Sequence, residues 1–134
     1  MQVSIPHDLE TTLRADLAAI LGASVRVYMP PIPAQIQDCD TVIYPVGGDA
    51  VSAASDRYDV SIDVYAADYS TATEHANAVR AAISQLAVYE SIAGVQYNEA
   101  GAGIPYDNYD PRAPEFTRKT FRAWVIMPGV KAIV

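Results

Sequence analysis

Apolar and polar residues alternate strictly at the start of the best-patterned stretch of the chain, Arg57 to Leu86. Within residues 57–65, the apolar positions are Tyr58, Val60, Ile62 and Val64. A period of two predicts a strand with one buried and one solvated face. From residue 72 the apolar positions follow helical spacing, and they are Ala72, Ala76, Val79, Ile83 and Leu86. Thr71 and Glu74 stand three apart, as the two residues of a capping box do. The stretch therefore predicts a strand, a short turn and a helix, with the two apolar faces covering each other.

A second helix is predicted before this unit. Its apolar residues share one helical face, and they are Leu9, Leu13, Leu17, Ile20 and Leu21. Ser4 or Pro6 is expected to start this helix, and Gly22 is placed to end it.

Further strands are predicted from runs of β-branched and aromatic residues at 24–29, 41–46, 92–97 and 116–127. Gly47-Gly48-Asp49 is expected to break the second of these runs in a turn. Residues 98–115 contain prolines and glycines without periodicity, which predicts a long irregular loop. Residues 128–134 are expected to form a C-terminal tail that becomes ordered only on assembly.

These elements together predict a single α+β domain spanning residues 1–134. The expected architecture is a mainly antiparallel sheet of about four to five strands, with two helices packed on one face. With 51% hydrophobic and 19% charged residues in 134, the chain is suited to a folded domain with one core.

Charge and cysteine content narrow the possible partners. The formal net charge of -7 disfavours broad attraction to nucleic acid or to an anionic membrane. Cys39 is the one cysteine, so no internal disulfide framework and no zinc spacing exists. No secretion signal and no membrane-spanning run is visible, and we expect a soluble protein made in a cytoplasm.

Candidate catalytic residues are few. His75 next to Glu74 is interpreted as a surface histidine in a first helical turn, because neighbours on a helix do not face one another. Asp107 and Asp110 are compatible with a cation site, but turn formation is the favoured interpretation. Phosphate-loop, zinc-protease and nucleophile-elbow motifs are absent. The sequence therefore predicts no catalytic residue, no cofactor and no metal site.

Candidate interface residues lie in and beside the long loop. Tyrosine and arginine are enriched at protein interfaces, and Tyr106, Tyr109, Arg112 and Phe116 fall in or next to this loop. A second group, Arg118, Lys119 and Arg122, forms a basic patch. Two interpretations of the patch remain open, a solvated edge that discourages strand aggregation or an interface.

The order of elements resembles that of the tail terminator and tail completion (minor tail) proteins of long-tailed bacteriophages. The resemblance covers most of the chain. It rests on the leading helix, on the strand and turn TVIYPVGGDA, on the strand-and-helix stretch 56–86, on the loop IPYDNYDPRAPEF and on the final long strand.

The resemblance implies a structural virion protein that forms a homo-oligomeric ring, typically a hexamer, on the end of the tail tube. Such a ring stops polymerisation of the tube protein and provides the docking surface for the head-completion or connector protein. DNA only passes through its channel, no membrane is involved, and the protein belongs to the tail or neck of a virion assembled in the host cytoplasm. No enzymatic activity is implied. The expected partner interface comprises Gly47, Gly48, Asp49, Tyr106, Asp107, Tyr109, Arg112 and Phe116.

Other functions remain open. Within the same class, the chain could be a head-closure or head–tail adaptor subunit. From a different class, it could be a small-ligand-binding α+β domain in which Gly47-Gly48 and the long loop border a pocket. The least favoured alternative is an enzyme that uses Asp107, Asp110 or His75.

Overall fold

The computed structural model describes residues 1–23, 25–88 and 91–133. Within these residues, eight strands and two helical segments follow one another. The strands are β1 (Gln2–Ile5), β2 (Val27–Tyr28), β3 (Thr41–Ala50), β4 (Ser55–Ala66), β5 (Glu99–Ala102), β6 (Tyr106–Asp107), β7 (Thr117–Pro128) and β8 (Val130–Ile133). The helices are α1 (Ala15–Leu21), which a π-helical turn (Glu10–Arg14) precedes, and α2 (Tyr69–Gln85).

A six-stranded sheet forms the centre of the fold. Its order is β2-β3-β4-β7-β5, with β6 paired to β7 beside β5, and only β2 and β3 run parallel. β1 and β8 form a separate two-stranded antiparallel ribbon. The predicted α+β class with a mainly antiparallel sheet is confirmed, and the central sheet has one strand more than the upper expectation.

One face of this sheet carries the main core, as the alternating pattern predicted. Tyr58, Val60, Ile62 and Val64 of β4 are all buried there. The same core contains Leu13 and Leu17 from the first helical segment and Val79 and Ile83 from α2, so both helices pack on this face. Burying each of these aliphatic side chains contributes about 1.5–3 kcal/mol.

The opposite face of β4 is not solvated throughout, which corrects the sequence prediction. At the end of β4 nearest α2, Asp63 and Tyr65 are buried. A second, smaller core covers them, built from Val42, Tyr65 and Ala113 with Ile32, Ile36, Tyr44 and Phe116 packed around them. The segments that contribute this cover are distant in sequence, and alternation within β4 contains no information about them.

The predicted helix starts were wrong at both helices. Asp8 begins the first helical segment by accepting hydrogen bonds from the Glu10 N–H and the Thr11 hydroxyl, both at 3.0 Å. Ser4, proposed as a start, lies in β1. At α2 the cap is Asp68, whose carboxylate accepts from the Thr71 N–H at 2.8 Å, so the helix begins before the proposed capping box.

The predicted Gly47-Gly48-Asp49 turn was also wrong, because β3 continues through these residues to Ala50. A bulge between Pro45 and Gly47 accommodates the proline, and the ladder with β4 then resumes. Gly48 has φ +153°, and a Cβ there would overlap the carbonyl oxygen of Arg57. Glycine at this position therefore permits close pairing of the two strands.

The remaining strand boundaries differ from the expected ones in four places. Residues 92–97 are not a strand, whereas the loop predicted for 98–115 contains β5 and β6, both paired to β7. The tail expected to await assembly contains β8, which pairs with β1. The strand expected at 24–29 is confined to Val27–Tyr28, and Ser24 and Val134 lie outside the described residues.

His75 is buried on α2, so its interpretation as a surface residue was wrong. Its Nε2 lies 3.1 Å from the Thr41 hydroxyl of β3. Burial lowers the pKa of the imidazole, and the nearby carboxylate of Asp38 partly opposes this effect. The side chain therefore connects the helix to the sheet in its neutral form.

Candidate functional site

The long loop that carries most of the predicted interface residues is held down by a buried charged cluster. Asp110 is only 3% exposed, and its carboxylate accepts a hydrogen bond from the Tyr65 hydroxyl at 2.9 Å. The Arg118 guanidinium lies 3.3 Å from Asp110 Oδ2 and 3.6 Å from Asp63 Oδ2, and thus joins the loop to β4 and β7. Thr120 completes the cluster by donating to Asp63 Oδ1 at 2.7 Å.

The electrostatics of this cluster differ between its two carboxyl groups. Burial alone would raise the pKa of Asp110, but hydrogen bonds from the Arg112 side chain and backbone lower it to about 2. Burial raises the pKa of Asp63, although Thr120 and Arg118 oppose the shift. Burial also raises the pKa of Tyr65 to about 12. Asp110 is therefore ionised at neutral pH and is the main counter-charge of Arg118.

The cluster has a structural role, because its side chains hold the loop against the sheet. Every buried side-chain nitrogen and oxygen in the described residues has a hydrogen-bond partner, and those of the cluster bond one another. Asp110 also accepts the Arg112 N–H at 3.0 Å, which fits the predicted turn formation. Asp110 was predicted only as a turn residue, and its role as the anchor of Arg118 was not predicted.

Within the part of the chain that the structure describes, no group of three or more His, Cys, Asp or Glu side chains could hold a metal ion. Cys39 lies in a loop with φ 64°, and burial together with Asp38 and Asp40 raises its thiol pKa. Asp40 itself forms a bidentate pair with Arg26, at 2.7 and 2.6 Å.

No helix among the described residues is both long and apolar enough to span a membrane.

The predicted basic patch is not a solvated edge. Arg118 is paired with carboxylates in the buried cluster, and Lys119 is only 6% exposed. Lys119 Nζ lies 2.6 Å from Asp107 Oδ1 and 4.2 Å from the centre of the Tyr69 ring, so β7, β6 and α2 meet at this amine. Of the three basic residues, only Arg122 is exposed, as a solvated edge would require of all three.

Exposed aromatic side chains gather at the end of the sheet where α2 begins. Tyr106 pairs with Thr120 of β7, and Tyr69 is the first residue of α2. Tyr69, Tyr106 and Tyr109 are between 53% and 65% exposed, and Ile104 is 79% exposed. We name these four residues the tyrosine end.

The remaining predicted residues of the loop have different environments. Arg112 is exposed over 67% of its side chain, and its Nε donates to Asp110 at 3.1 Å. Phe116 is half-buried against the second core, so it supports the loop. The Asp107 carboxylate forms an ion pair with Lys119. The interface role of these residues remains a prediction.

Gly47, Gly48 and Asp49 lie far from the tyrosine end. Asp49 pairs with Arg57, and Tyr106 lies beside Thr120, which pairs with Asp63. Six residues of β4 separate these positions, which corresponds to about 20 Å. The predicted interface residues therefore form two separate regions. The small-ligand alternative required one pocket bordered by Gly47-Gly48 and the long loop, but among the described residues these glycines lie about 20 Å from Tyr106 in that loop.

A surface groove beside Gly47 and Gly48 was not predicted from the sequence. A groove of about 390 Å³ runs across β3, β4 and β7 between Gly48 and Trp124. The Arg57 guanidinium lies 5.2 Å from the Trp124 ring centre and donates to Asp59 at 2.9 Å. Arg122 lines the same groove without an ion-pair partner among the described residues. Tryptophan and arginine are typical interface residues, and period two in β7 already placed Trp124 and Arg122 on one face.

Gly101 allows the Trp124 ring to lie flat on β5. A Cβ at this position would come within 2.3 Å of the ring atom Cζ2. The absence of a side chain at Gly101 therefore lets the indole ring, which lines the groove, lie close to β5.

Comparison with known proteins adds a structural relative. No protein-family model and no curated protein matches the chain. Among solved structures, it is similar to a chain from a structure described as the virion of a native gene transfer agent (GTA) particle. The identity is 19% and the TM-score 0.56, over 94% of this chain and 96% of that chain. At this identity the likeness shows the fold alone.

Proposed function

We propose that the chain is a structural virion protein that forms a ring capping the tail tube of a phage-like particle. The observation that carries the proposal is the similarity in fold over nearly the whole chain to a component of a gene transfer agent virion. That similarity agrees with the independent resemblance to tail terminators described above.

The distribution of exposed apolar side chains supports a subunit with two partners. The tyrosine end lies where α2 begins, whereas Val51 and the β1–β8 ribbon lie beyond the opposite ends of β4 and β7. Tyr106 lies level with Asp63, eight residues of β4 away from Ser55, so the two regions are about 25 Å apart. In a capping ring, one end contacts the tube protein and the other contacts the head connector.

The sides of the sheet support lateral contacts between copies. β3 beyond Val42 and the outer edge of β5 have no pairing strand among the described residues. Two different open edges on one subunit suit heterologous contacts, which close into a ring when the rotation per subunit divides a full turn.

A head-closure or head–tail adaptor subunit is the second candidate function. The relevant observation is that the description of the structural relative names a whole virion without a position in it. Both candidates share the ring, the virion location and the absence of a catalytic role, and they differ in the tail tube contact.

Localisation on assembly intermediates separates the two candidates. Tagged chain is mixed with purified tail tubes and, separately, with DNA-filled heads from the same source, and its position is read by electron microscopy with a gold label. We expect label at one end of each tube and a ring with a central opening in end views. Label on heads and none on tubes would favour the adaptor function.

A further inference from the structure

Part of the sheet face opposite the main core has no cover among the described residues. The second core covers this face where β4 carries Tyr65, and the groove of about 390 Å³ lies further along the same face. Val46 on β3 and Trp124 on β7 line the groove, and β4 runs between them. Gly47, at the level of Trp124, has no side chain to fill the space between these strands. The groove is therefore open and about 10 Å wide, which is two strand spacings.

Arg122 brings an unpaired positive charge to this groove. Its guanidinium has no ion-pair partner among the described residues, and the residue that faces it on β4 is the neutral Ser61. Two carboxylates, Asp59 and Asp63, are its diagonal neighbours on β4, and both have other partners. Asp59 accepts from Arg57 at 2.9 Å, and Asp63 belongs to the buried charged cluster. The sheet therefore leaves Arg122 without a counter-charge.

Apolar surface lies next to this cation. Trp124 is half-buried, and Val46 is 44% exposed. Arg122 and Trp124 stand two residues apart on β7, so their side chains are on one face, about 7 Å from each other. An extended peptide presents residues i and i+2 on one side at the same spacing. A segment with a carboxylate and an apolar side chain two residues apart therefore matches both groups.

We infer that this groove binds an extended segment of a partner protein, in which a Glu or Asp side chain pairs with Arg122 and an apolar side chain two residues away packs against Trp124. The segment supplies the counter-charge that the neighbours of Arg122 do not provide. Burial of its apolar side chain between the indole and Val46 adds a hydrophobic contribution. This binding is separate from ring closure, because the segment belongs to another protein.

The distribution of charge favours a peptide over a nucleic acid. Arg122 supplies one free cation, which a single carboxylate balances. Asp49 and Asp59 line the same groove, so a continuous phosphate backbone would pass close to both carboxylates and be repelled. A peptide places neutral residues at those positions.

Fluorescence of Trp124, the one tryptophan of the chain, reports occupancy of the groove directly. The full-length chain is titrated with the blocked pentapeptide Thr-Glu-Thr-Leu-Thr. Matched titrations use the same peptide with Gln in place of Glu, or with Glu and Leu adjacent. We expect a saturable change in emission with the first peptide. Affinity for each of the other two should be about threefold to fivefold weaker, because each lacks one of the two contacts.

The variant Arg122→Gln should bind the Glu and Gln peptides equally, because the cation that distinguishes them is gone. Arg80→Gln is the matched control. Arg80 is exposed on α2, on the other side of the sheet, so this variant should keep the preference for Glu. Both arginines are exposed, and both variants should unfold at the wild-type midpoint.

Three results would each overturn the inference: no saturable change in emission, equal affinity of the wild type for the three peptides, or an unchanged preference for Glu in Arg122→Gln. A decathymidine oligonucleotide is titrated in parallel. If it binds more tightly than the Glu peptide and loses this affinity in Arg122→Gln, the groove is a nucleic-acid site and the inference is wrong.

Discussion

Replacing Arg118 with methionine should lower the free energy of unfolding by about 3–5 kcal/mol at neutral pH, because removing one member of a buried charge cluster leaves the others uncompensated. The carboxylates of Asp63 and Asp110 would then share a buried site without the guanidinium that lies 3.6 and 3.3 Å away. The Asn108 carbonyl, which accepts from Arg118 Nε at 2.6 Å, would lose its partner as well. Chemical denaturation followed by circular dichroism measures the loss.

Arg112→Met is the matched control for this prediction. Arg112 contacts the same carboxylate of Asp110, but its side chain is 67% exposed. Exposed ion pairs contribute about 0–1 kcal/mol, so the control should lose far less stability. Equal losses in the two variants would show that burial of Arg118 is not what makes its charge important.

The difference between wild type and Arg118→Met should shrink in acid. Despite burial, hydrogen bonds from Arg112 and Tyr65, with a smaller contribution from the charge of Arg118, lower the pKa of Asp110 in the folded state to about 2, so the stability that its charge contributes is complete above its ordinary pKa and is lost as pH falls from about 4 toward 2. In the variant, protonation of Asp63, whose pKa burial raises, and then of Asp110 relieves the repulsion between the two carboxylates as pH falls. A difference that stays constant from pH 7 to pH 3 would contradict this account of the cluster.

Asp16→Ala should be the second strongly destabilising substitution, with an expected loss of about 3–4 kcal/mol. The carboxylate is 3% exposed, and it accepts from the Tyr97 hydroxyl at 2.6 Å, the Ser91 hydroxyl at 2.7 Å and the Ile92 N–H at 2.8 Å. These donors lie between residues 91 and 97, so one side chain of α1 holds this segment before β5. Removing it leaves the buried Tyr97 hydroxyl and two part-buried donors without an acceptor.

Asp8→Ala provides the control for Asp16, since Asp8 also accepts hydrogen bonds from a backbone N–H and a hydroxyl but is exposed. Loss of such a helix-start contact costs about 1 kcal/mol. Amide hydrogen exchange at Ile92 and Ala93 should accelerate strongly in Asp16→Ala and remain unchanged in Asp8→Ala. Unchanged exchange in both variants would show that the segment is held by other contacts.

Local patterns predicted the parts of the fold that local physics determines. Alternation placed Val60 and Ile62 in the core, and helical spacing placed Leu13 and Leu17 there, because each of these periods follows from the geometry of one element. The corresponding sequence windows contain all the information required.

Contacts between distant segments were not predictable in this way. The sequence did not single out Asp16, because its partners lie more than 70 positions away. Asp63 looked solvated because the segment around Asp110 folds back over β4. Gly47-Gly48 was read as a turn because the usual meaning of two glycines is a break, whereas here a bulge keeps them in the ladder.

The interface role of the residues singled out in the sequence stays a prediction. Tyr106, Tyr109 and Arg112 are exposed as an interface requires. The face with Arg57 and Trp124 was missed because tertiary pairing of β4, β7 and β5 creates it.

The length of tail tubes assembled in the presence of the chain tests the central claim most directly. Purified tube protein from the same source is polymerised with increasing amounts of the chain, and lengths are measured by negative-stain electron microscopy. The account predicts that mean tube length falls and the number of tubes with a capped end rises in proportion to the chain added. Tubes of unchanged length, with no chain bound at either end, would contradict the assignment of this protein as a ring that terminates the tail.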